Sequence, residues 1–131
     1  MSAANALLKA VFARLTGDAV LMALTSGGIV DRLLPRALMP CIVIGEIDSR
    51  DYSTATEKAE EHVLSLEIWS DAAGRKQAGE ITERVKTLLD DAALPLANVS
   101  LVNLQLRSCR SRREARSRNF IADMRFRAVT E

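Results

Sequence analysis

Apolar and charged residues alternate along residues 120–128, and this alternation constrains the fold more than any other feature of the sequence. Every second residue from Phe120 to Ala128 is apolar, and Asp123, Arg125 and Arg127 stand between them. Successive side chains of a strand point to opposite faces of a sheet. The segment is therefore predicted to be a strand with one face against a hydrophobic core.

Three further segments carry strand patterns. Residues 64–69 alternate in the same way, which predicts a second half-buried strand. Residues 41–44 are apolar at every position, which predicts a strand that is covered on both faces. Val102, Leu104 and Leu106 are predicted to share one face of a fourth strand.

Three helices are predicted from apolar residues at helical spacing. The first covers about residues 4–15 and is expected to end at Gly17 in a left-handed conformation. Asp18 is a candidate N-cap of a short second helix. The third is expected to begin at a cap on Ser70 or Asp71. Its buried stripe is predicted to consist of Ala78, Ile81, Val85, Leu88 and Leu89.

These elements define a fold class. With a brief strand at residues 29–30, their order is α-α-(β)-β-β-α-β-β. The chain has 131 residues, of which 48% are hydrophobic, so it can bury a core without disulfides or metals. Short connections between strands favour antiparallel pairing. We predict one α+β domain, residues 1–131, with an antiparallel sheet of about four main strands and helices packed on one face.

Charge is distributed unevenly although the net charge is only +1. Residues 40–95 carry six basic and twelve acidic side chains. Residues 96–131 carry eight basic and three acidic side chains. A molecule with opposite poles can attract copies of itself or differently charged neighbours.

An arginine-rich tract lies between the last two predicted strands. Six of the fourteen residues from Arg107 to Phe120 are arginine, and a loop around residues 111–116 is expected to make the tract the tip of a hairpin. Three interpretations stay open: a solvated tip that protects an edge strand, a docking surface for an acidic partner, and a phosphate contact. Sequence-specific readout is disfavoured because no aromatic residue lies in the tip.

Motifs that carry chemistry are few. The single histidine, His62, lies beside Glu60 and Glu61 and is predicted to be exposed and readily protonated. Cys41 and Cys109 are predicted to be buried and reduced, as is typical of a cytosolic protein. The sequence has no zinc-ligand spacing, phosphate-binding glycine loop or nucleophile motif. We therefore expect no catalytic, cofactor-binding or metal-binding residue, and no enzymatic activity.

A series of short motifs resembles one family in its order and spacing. An apolar strand follows Pro40, a Ser-rich loop leads to His62, and a strand ends in Trp69-Ser70. The helix region then opens with AGR at residues 73–75, and LVNLQL and MRFRAVTE close the pattern. The whole resembles the small tail-completion, or tail-terminator, proteins of tailed phages, prophages and gene transfer agents. The arginine-rich tip is denser than the family pattern requires.

The resemblance implies a structural role. Such proteins are expected to form a ring, typically of about six copies, that caps a tail tube and stops its growth. The expected partners are further copies, the tail-tube protein and a head-tail connector or stopper protein, with DNA passing through the ring without sequence-specific contact. The protein would be cytoplasmic during assembly and later part of a virion. No apolar run reaches the ~20 residues of a membrane-spanning helix, so we expect no membrane contact.

A ring needs two different patches that meet between neighbouring copies. The acidic patch is predicted to comprise Glu46, Asp48, Asp51, Glu57, Glu60 and Glu61. The basic patch is predicted to comprise Arg110, Arg112, Arg113, Arg116 and Arg118. Arg50 and Tyr52 lie in the acidic region and are assigned to the same subunit or tube interface, although Tyr52 could instead fold back over the sheet.

Three further arginines, Arg107, Arg125 and Arg127, are expected to share the polar face of the hairpin strands and to face DNA or a docking partner. Two alternatives to the structural role stay open. One is a small module that binds nucleic acid non-specifically through the hairpin of residues 107–118. The other is an enzyme subunit whose active site forms only with a partner.

Overall fold

The sheet is built from five strands, and the computed structural model describes residues 2–131. The elements are α1 (Ala3–Thr16), α2 (Ala19–Leu24), β1 (Ile29–Val30), β2 (Cys41–Asp51), β3 (Glu60–Ser70), α3 (Lys76–Leu89), β4 (Leu101–Arg113) and β5 (Phe120–Thr130). The strand order is β1-β2-β3-β5-β4. Only β1 and β2 are parallel, and the other neighbours are antiparallel. The predicted α+β class and order of elements are confirmed, with the brief strand as a fifth member of the sheet.

The main core lies between the helices and one face of the sheet. It contains Leu7, Val11 and Leu15 of α1 and the complete predicted stripe of α3. The apolar set of β5 that alternates from Phe120 to Ala128 is buried in the same core. The period-two and helical patterns therefore identified the right faces of β5 and α3.

The opposite face of the sheet is covered at one end only. Cys41, Val43, Trp69 and Ile121 form a smaller cluster there, under the chain that follows β1. The start of β2 is therefore covered on both faces, as predicted. The rest of this face, called the open face below, is polar. It is lined by Gly45, Glu46, Asp48, Val63, Ser65, Glu67, Asp123 and Arg125.

The helix ends differ from the predictions in two places. Gly17 has a φ of −76°, so it ends α1 in a right-handed rather than a left-handed conformation. Helix α3 begins at Lys76, after Arg75, which makes no capping bond through its side chain. Ser70 instead ends β3, and its hydroxyl donates a hydrogen bond to Gln77 Oε1 at 2.5 Å. Asp18 is the N-cap of α2, as predicted, and accepts a hydrogen bond from the Leu21 N–H.

Strand β4 differs from its prediction because it contains two irregularities in register. The first, between Leu101 and Asn103, leaves Val102 50% exposed while Leu104 is buried. Val102 therefore does not share the core face. The second lies between Leu106 and Ser108.

No helix within residues 2–131 is long and apolar enough to span a bilayer.

Candidate subunit interface

Two turns leave the sheet from opposite ends. The β2–β3 turn (residues 52–59) precedes Glu60, the first residue of β3, and the β4–β5 turn (residues 114–119) precedes Phe120. Phe120 pairs with Ser70, the last residue of β3. At ~3.3 Å per residue, the two turns lie roughly 30 Å or more apart. The acidic residues of the β2–β3 turn and the arginines of the β4–β5 turn thus lie at the two ends of the sheet, whereas Glu46, Asp48, Arg110 and Arg112 lie within β2 and β4.

Glu61 is held inside the subunit, which corrects its assignment to a free acidic patch. Its carboxylate accepts hydrogen bonds from Arg50 Nε and Arg127 Nε, each at 2.6 Å. The Arg50 hydrogen bond and then that of Arg127 lower the pKa of Glu61 below its ordinary value. Arg50 and Arg127 are likewise occupied by this carboxylate.

Tyr52 lies against the same network. The Arg127 guanidinium stands over the Tyr52 ring, 5.3 Å from its centroid, a cation–π contact. The residue nevertheless remains 49% exposed. Tyr52 is therefore positioned by Arg127 and still presents half of its surface to a neighbour.

The β2–β3 turn is held by its own polar side chains. Asp51 Oδ1 accepts a hydrogen bond from the Ser53 N–H at 2.9 Å, and this contact with Ser53 lowers the pKa of Asp51. Ser53 Oγ accepts from the Ala59 N–H at 3.0 Å. The turn is a defined structure, as Asx and Ser turns usually are.

Four acidic side chains around this end are exposed and make no hydrogen bond or ion pair in the part of the chain that the structure describes. They are Glu46, Asp48, Glu57 and Glu60. With Asp51, they form the acidic surface that remains available once Glu61 is removed from the predicted patch.

The predicted arginine cluster divides between strand and turn. Arg110, Arg112 and Arg113 lie in β4, whereas only Arg116 and Arg118 lie in the β4–β5 turn. The hairpin loop therefore has the predicted length but begins three residues further along the chain. The reason is that β4 continues to pair with β5 up to the Arg113–Phe120 pair.

These arginines also differ in what they contact. Arg113 donates to the Ala73 carbonyl at 2.7 Å and to the Arg118 carbonyl at 3.2 Å, and it lies over the Phe120 ring. Arg112 lies 3.6 Å from the Glu67 carboxylate. Within residues 2–131 the side chains of the other three, Arg110, Arg116 and Arg118, make no hydrogen bond or ion pair.

Arg107, Arg125 and Arg127 do not form one basic surface. Arg127 is turned toward Glu61. Arg125 is exposed and lies 3.7 Å from the Asp123 carboxylate, and Arg107 is exposed at the second irregularity of β4. Arg125 and Arg127 do lie on the same face of β5, as expected of alternate residues, but Arg127 is engaged by Glu61 and Arg107 lies at an irregularity in register.

His62 is buried, which contradicts its prediction as an exposed, readily protonated side chain. Ser49 Oγ lies 2.6 Å from Nδ1 and Thr130 Oγ1 lies 3.0 Å from Nε2. Burial lowers the pKa of His62 below its usual range, and the Glu60 carboxylate opposes that shift. The imidazole is therefore held neutral between two hydroxyl groups.

The two cysteines are free, and they differ in exposure. Cys41 is buried, as predicted, and burial raises the pKa of its thiol. Cys109 is exposed on β4, which corrects its prediction as buried. Within residues 2–131 no three His, Cys, Asp or Glu side chains are grouped so as to hold a metal ion.

Sequence reasoning offered an edge strand at the arginine-rich hairpin but did not identify the stretches of β2 and β4 that are unpaired on their outer side. Strand β1 pairs with only Ile42 and Val43 of β2, and β4 pairs with β5 on one side only. The signal in the sequence was the density of charge, with four charged residues among 46–51 and four among 107–113, since charged side chains are common on edge strands.

The fold places this chain in the class of virion structural proteins. A solved structure of the virion of a native gene transfer agent (GTA) particle contains a chain that matches with a TM-score of 0.90 and 31% sequence identity. The match covers 99% of this chain and 98% of that chain.

The family follows from the sequence model. The family model described as tail completion protein gp17 matches residues 9–131. The chain therefore belongs to the tail completion protein gp17 family, and the resemblance found in the sequence is confirmed. A comparison with curated proteins gives no match.

Proposed function

We propose that the protein caps the end of a phage-like tail tube as a ring of about six copies, stops tube polymerisation and joins the tube to the head-side connector. Membership of the tail completion family supports a role in the tail. The observation that supports the ring is that one chain presents an acidic surface along β2 and the β2–β3 turn and a basic surface along β4 and the β4–β5 turn, toward opposite edges of its sheet. A head-to-tail contact between identical copies requires two such different patches.

The partners follow from that role. They are further copies of the chain, the tail-tube protein and the connector or stopper protein, with DNA passing through the ring without sequence-specific contact. The protein would assemble in the cytoplasm and remain in the virion or virus-like particle. We expect it to have no enzymatic activity, because the family consists of structural virion proteins.

Tail length tests the terminator role. Particles produced without this protein should carry overlong tubes that are not joined to filled heads, because nothing stops tube growth. Electron microscopy of both preparations measures tube length and head attachment. Tails of normal length on filled heads in its absence would contradict the proposal.

Charge reversal tests the interface. Arg110 and Arg116 are exposed and make no ion pair or hydrogen bond through their side chains within residues 2–131, so the double change Arg110→Glu and Arg116→Glu should leave the fold intact. It should abolish incorporation into tails, because acidic residues would then face the acidic surface of the next copy. Lys9→Glu with Lys86→Glu changes the net charge equally on exposed helix positions and should be incorporated normally.

A second candidate function is non-specific binding of nucleic acid. Arg107, Arg110, Arg116 and Arg118 are exposed and unpaired through their side chains in the described chain, and phosphate contact needs only charge. DNA affinity measured across salt tests it, since each neutralised phosphate contributes roughly −0.9 to the log–log slope. No affinity at low salt would eliminate this candidate.

A further inference from the structure

Two segments of strand have free outer edges. On β2, strand β1 covers only Ile42 and Val43, so residues 45–51 (the β2 edge) have no strand outside them in the described chain. On β4, the turn after α3 covers the first half. There the Asp91 N–H donates to the Leu104 carbonyl at 2.7 Å. The Leu106 N–H donates to Asp90 Oδ1 at 2.9 Å. Residues 107–113 (the β4 edge) are left open.

The two edges match in length and in charge. Each is seven residues long, GEIDSRD on β2 and RSCRSRR on β4. The β2 edge carries three acidic residues and one arginine, whereas the β4 edge carries four arginines and no acid. Exposed edges are usually blocked or paired, because their backbone groups can join another strand. A second copy of the same chain therefore offers each edge a partner of equal length and opposite charge.

The direction of the chain fixes how the edges can pair. Strands β2, β3, β5 and β4 are each antiparallel to the next, so β4 runs opposite to β2. Copies related by rotation about a ring axis keep this relation. The β4 edge of one copy and the β2 edge of the next would therefore be antiparallel.

We propose that neighbouring copies pair these two edges as adjacent antiparallel strands, so that the sheets join into one closed sheet around the ring. The inference rests on the ring of the proposed function and specifies its contact. In the register that aligns both seven-residue edges, Arg107 lies opposite Asp51, Arg110 opposite Asp48, and Arg112 opposite Glu46. All three acids of one edge thus meet an arginine of the other, and such cross-strand pairs stabilise a sheet.

The residues placed opposite each other also point to the same face of the sheet. Asp48 lines the open face, and Arg110 pairs with Asp123, which lines it too. On the other face, Ser49 bonds to the buried His62 and Cys109 pairs with Met124 of the main core. Opposed residues therefore project on the same side of the joined sheet.

Ring closure requires a tilt that sheets commonly adopt. Asp48 is level with Val63 of β3, and Arg110 is level with Glu67, four residues further along. This offset is about 13 Å, whereas four strand spacings per copy make about 19 Å. If all copies lie at the same height along the ring axis, this offset requires strands tilted by roughly 35° from that axis. Closed barrels typically have strand tilts of about 35–45°.

A cross-link between Ser49 and Cys109 tests the register. These residues are opposite each other in the proposed pairing, where Cα atoms about 4.5–5.5 Å apart suit a disulfide. Cys109 is exposed and Cys41 is buried, so a Ser49→Cys variant offers one new partner for the native thiol. Tails purified with Ser49→Cys and oxidised with copper phenanthroline in air should give a ladder of cross-linked multimers on a non-reducing gel.

Matched variants define the outcome. Ser49→Cys with Cys109→Ser, and Glu57→Cys at an exposed site outside the β2 edge, should give no ladder. Asp48→Cys with Arg110→Cys, in a Cys109→Ser chain, repeats the test with side chains that have no partner within residues 2–131. Capped tails of normal length in which neither pair cross-links would overturn the strand pairing and leave the terminator role standing. Normal tails that lack the protein altogether would overturn both.

Discussion

Asp18 has two structural roles at the start of α2. Its carboxylate caps the helix by accepting from the Leu21 N–H, and it accepts two hydrogen bonds from Arg84 at 2.6 Å and 2.8 Å. The Arg84 contacts, followed by the Leu21 contact, lower the pKa of Asp18 from 3.8 to about 2. Because the folded-state pKa lies below the ordinary value, the ionised carboxylate stabilises the fold above about pH 4, and this stabilisation is lost as pH falls through about 2.

Substitution of Asp18 tests this linkage. Asp18→Asn retains a good capping side chain and removes the charge that Arg84 contacts. We expect a lower melting temperature than the wild type at neutral pH, and the difference should shrink as pH falls from about 4 to about 2. Thermal unfolding across this range measures it. Asp31→Asn, at an exposed position, should change little, and a constant gap between Asp18→Asn and wild type would contradict the linkage.

His62 affects stability at a higher pH. Its folded-state pKa lies below the ordinary 6.5 because the ring is buried, so protonation favours the unfolded chain. Stability should be fully present above about pH 6.5 and decline below it. His62→Gln can still bond Ser49 and Thr130, and it should lose less melting temperature than wild type between about pH 7 and pH 5. Equal slopes for the two proteins over this interval would argue against a neutral buried imidazole.

The partners of single residues could not be predicted from the sequence, although their residue types could. Glu61 and Arg127 are 66 positions apart and meet because β3 and β5 are neighbours. His62 was predicted to be exposed because two glutamates precede it, yet it pairs with Ala128 of the main core and is buried on the helix-covered face. Local sequence reports the character of a side chain, whereas its contacts depend on which strands become adjacent.

The elements that were predicted well are those whose pattern is long and regular. Strand β5 alternates without irregularity, and α3 carries a full helical stripe, so both buried faces followed from spacing alone. Strand β4 was predicted less well because its irregularity at Leu101–Asn103 reverses the face of Val102. Such an irregularity depends on the neighbouring strand, and the sequence of β4 contains no glycine or proline that would indicate it.

Two glycines give opposite predictions, Gly79 within α3 and Gly27 in the turn between α2 and β1. Gly79 lies within α3, and an added Cβ would meet nothing within 4 Å. Gly79→Ala should therefore raise the free energy of unfolding by roughly 0.5–1 kcal/mol, since glycine is a weak helix former. Gly27 lies under the chain that precedes β2, where an added Cβ would overlap the Leu38 carbonyl oxygen.

Gly27→Ala should lower the free energy of unfolding by about 1–3 kcal/mol, because backbone has to move to accommodate the methyl group. Urea unfolding of both variants, with the slope compared to wild type, measures the changes. A Gly27→Ala protein as stable as wild type would show that residues 31–40 shift without cost. A higher free energy of unfolding for Gly79→Ala and a lower one for Gly27→Ala would confirm that the surroundings of each glycine, rather than the residue type, decide the effect of the substitution.

At the scale of the whole molecule, strand order converts a charge pattern in the sequence into two surfaces. Strand β5 lies between β3 and β4, so the arginines of β4 occupy one edge of the sheet and the acids of β2 lie toward the other. The uneven distribution of charge was visible in the sequence. The extent of each free edge was not, because it depends on β1 being only two residues long and on the turn after α3 covering half of β4.

If these edges hold the copies together, ring assembly should weaken with salt. Screening shortens the reach of exposed charges to about 10 Å at 0.1 M ionic strength and to about 3 Å at 1 M. At constant protein concentration, sedimentation should show a smaller fraction of wild-type protein in rings as NaCl rises from about 50 mM to about 500 mM. Arg110→Ser should assemble less at low salt and respond less to added salt, because one cross-strand ion pair is missing. A ring fraction that rises with salt would instead indicate apolar contacts, for which Leu34 and Leu38 are the most exposed large apolar side chains.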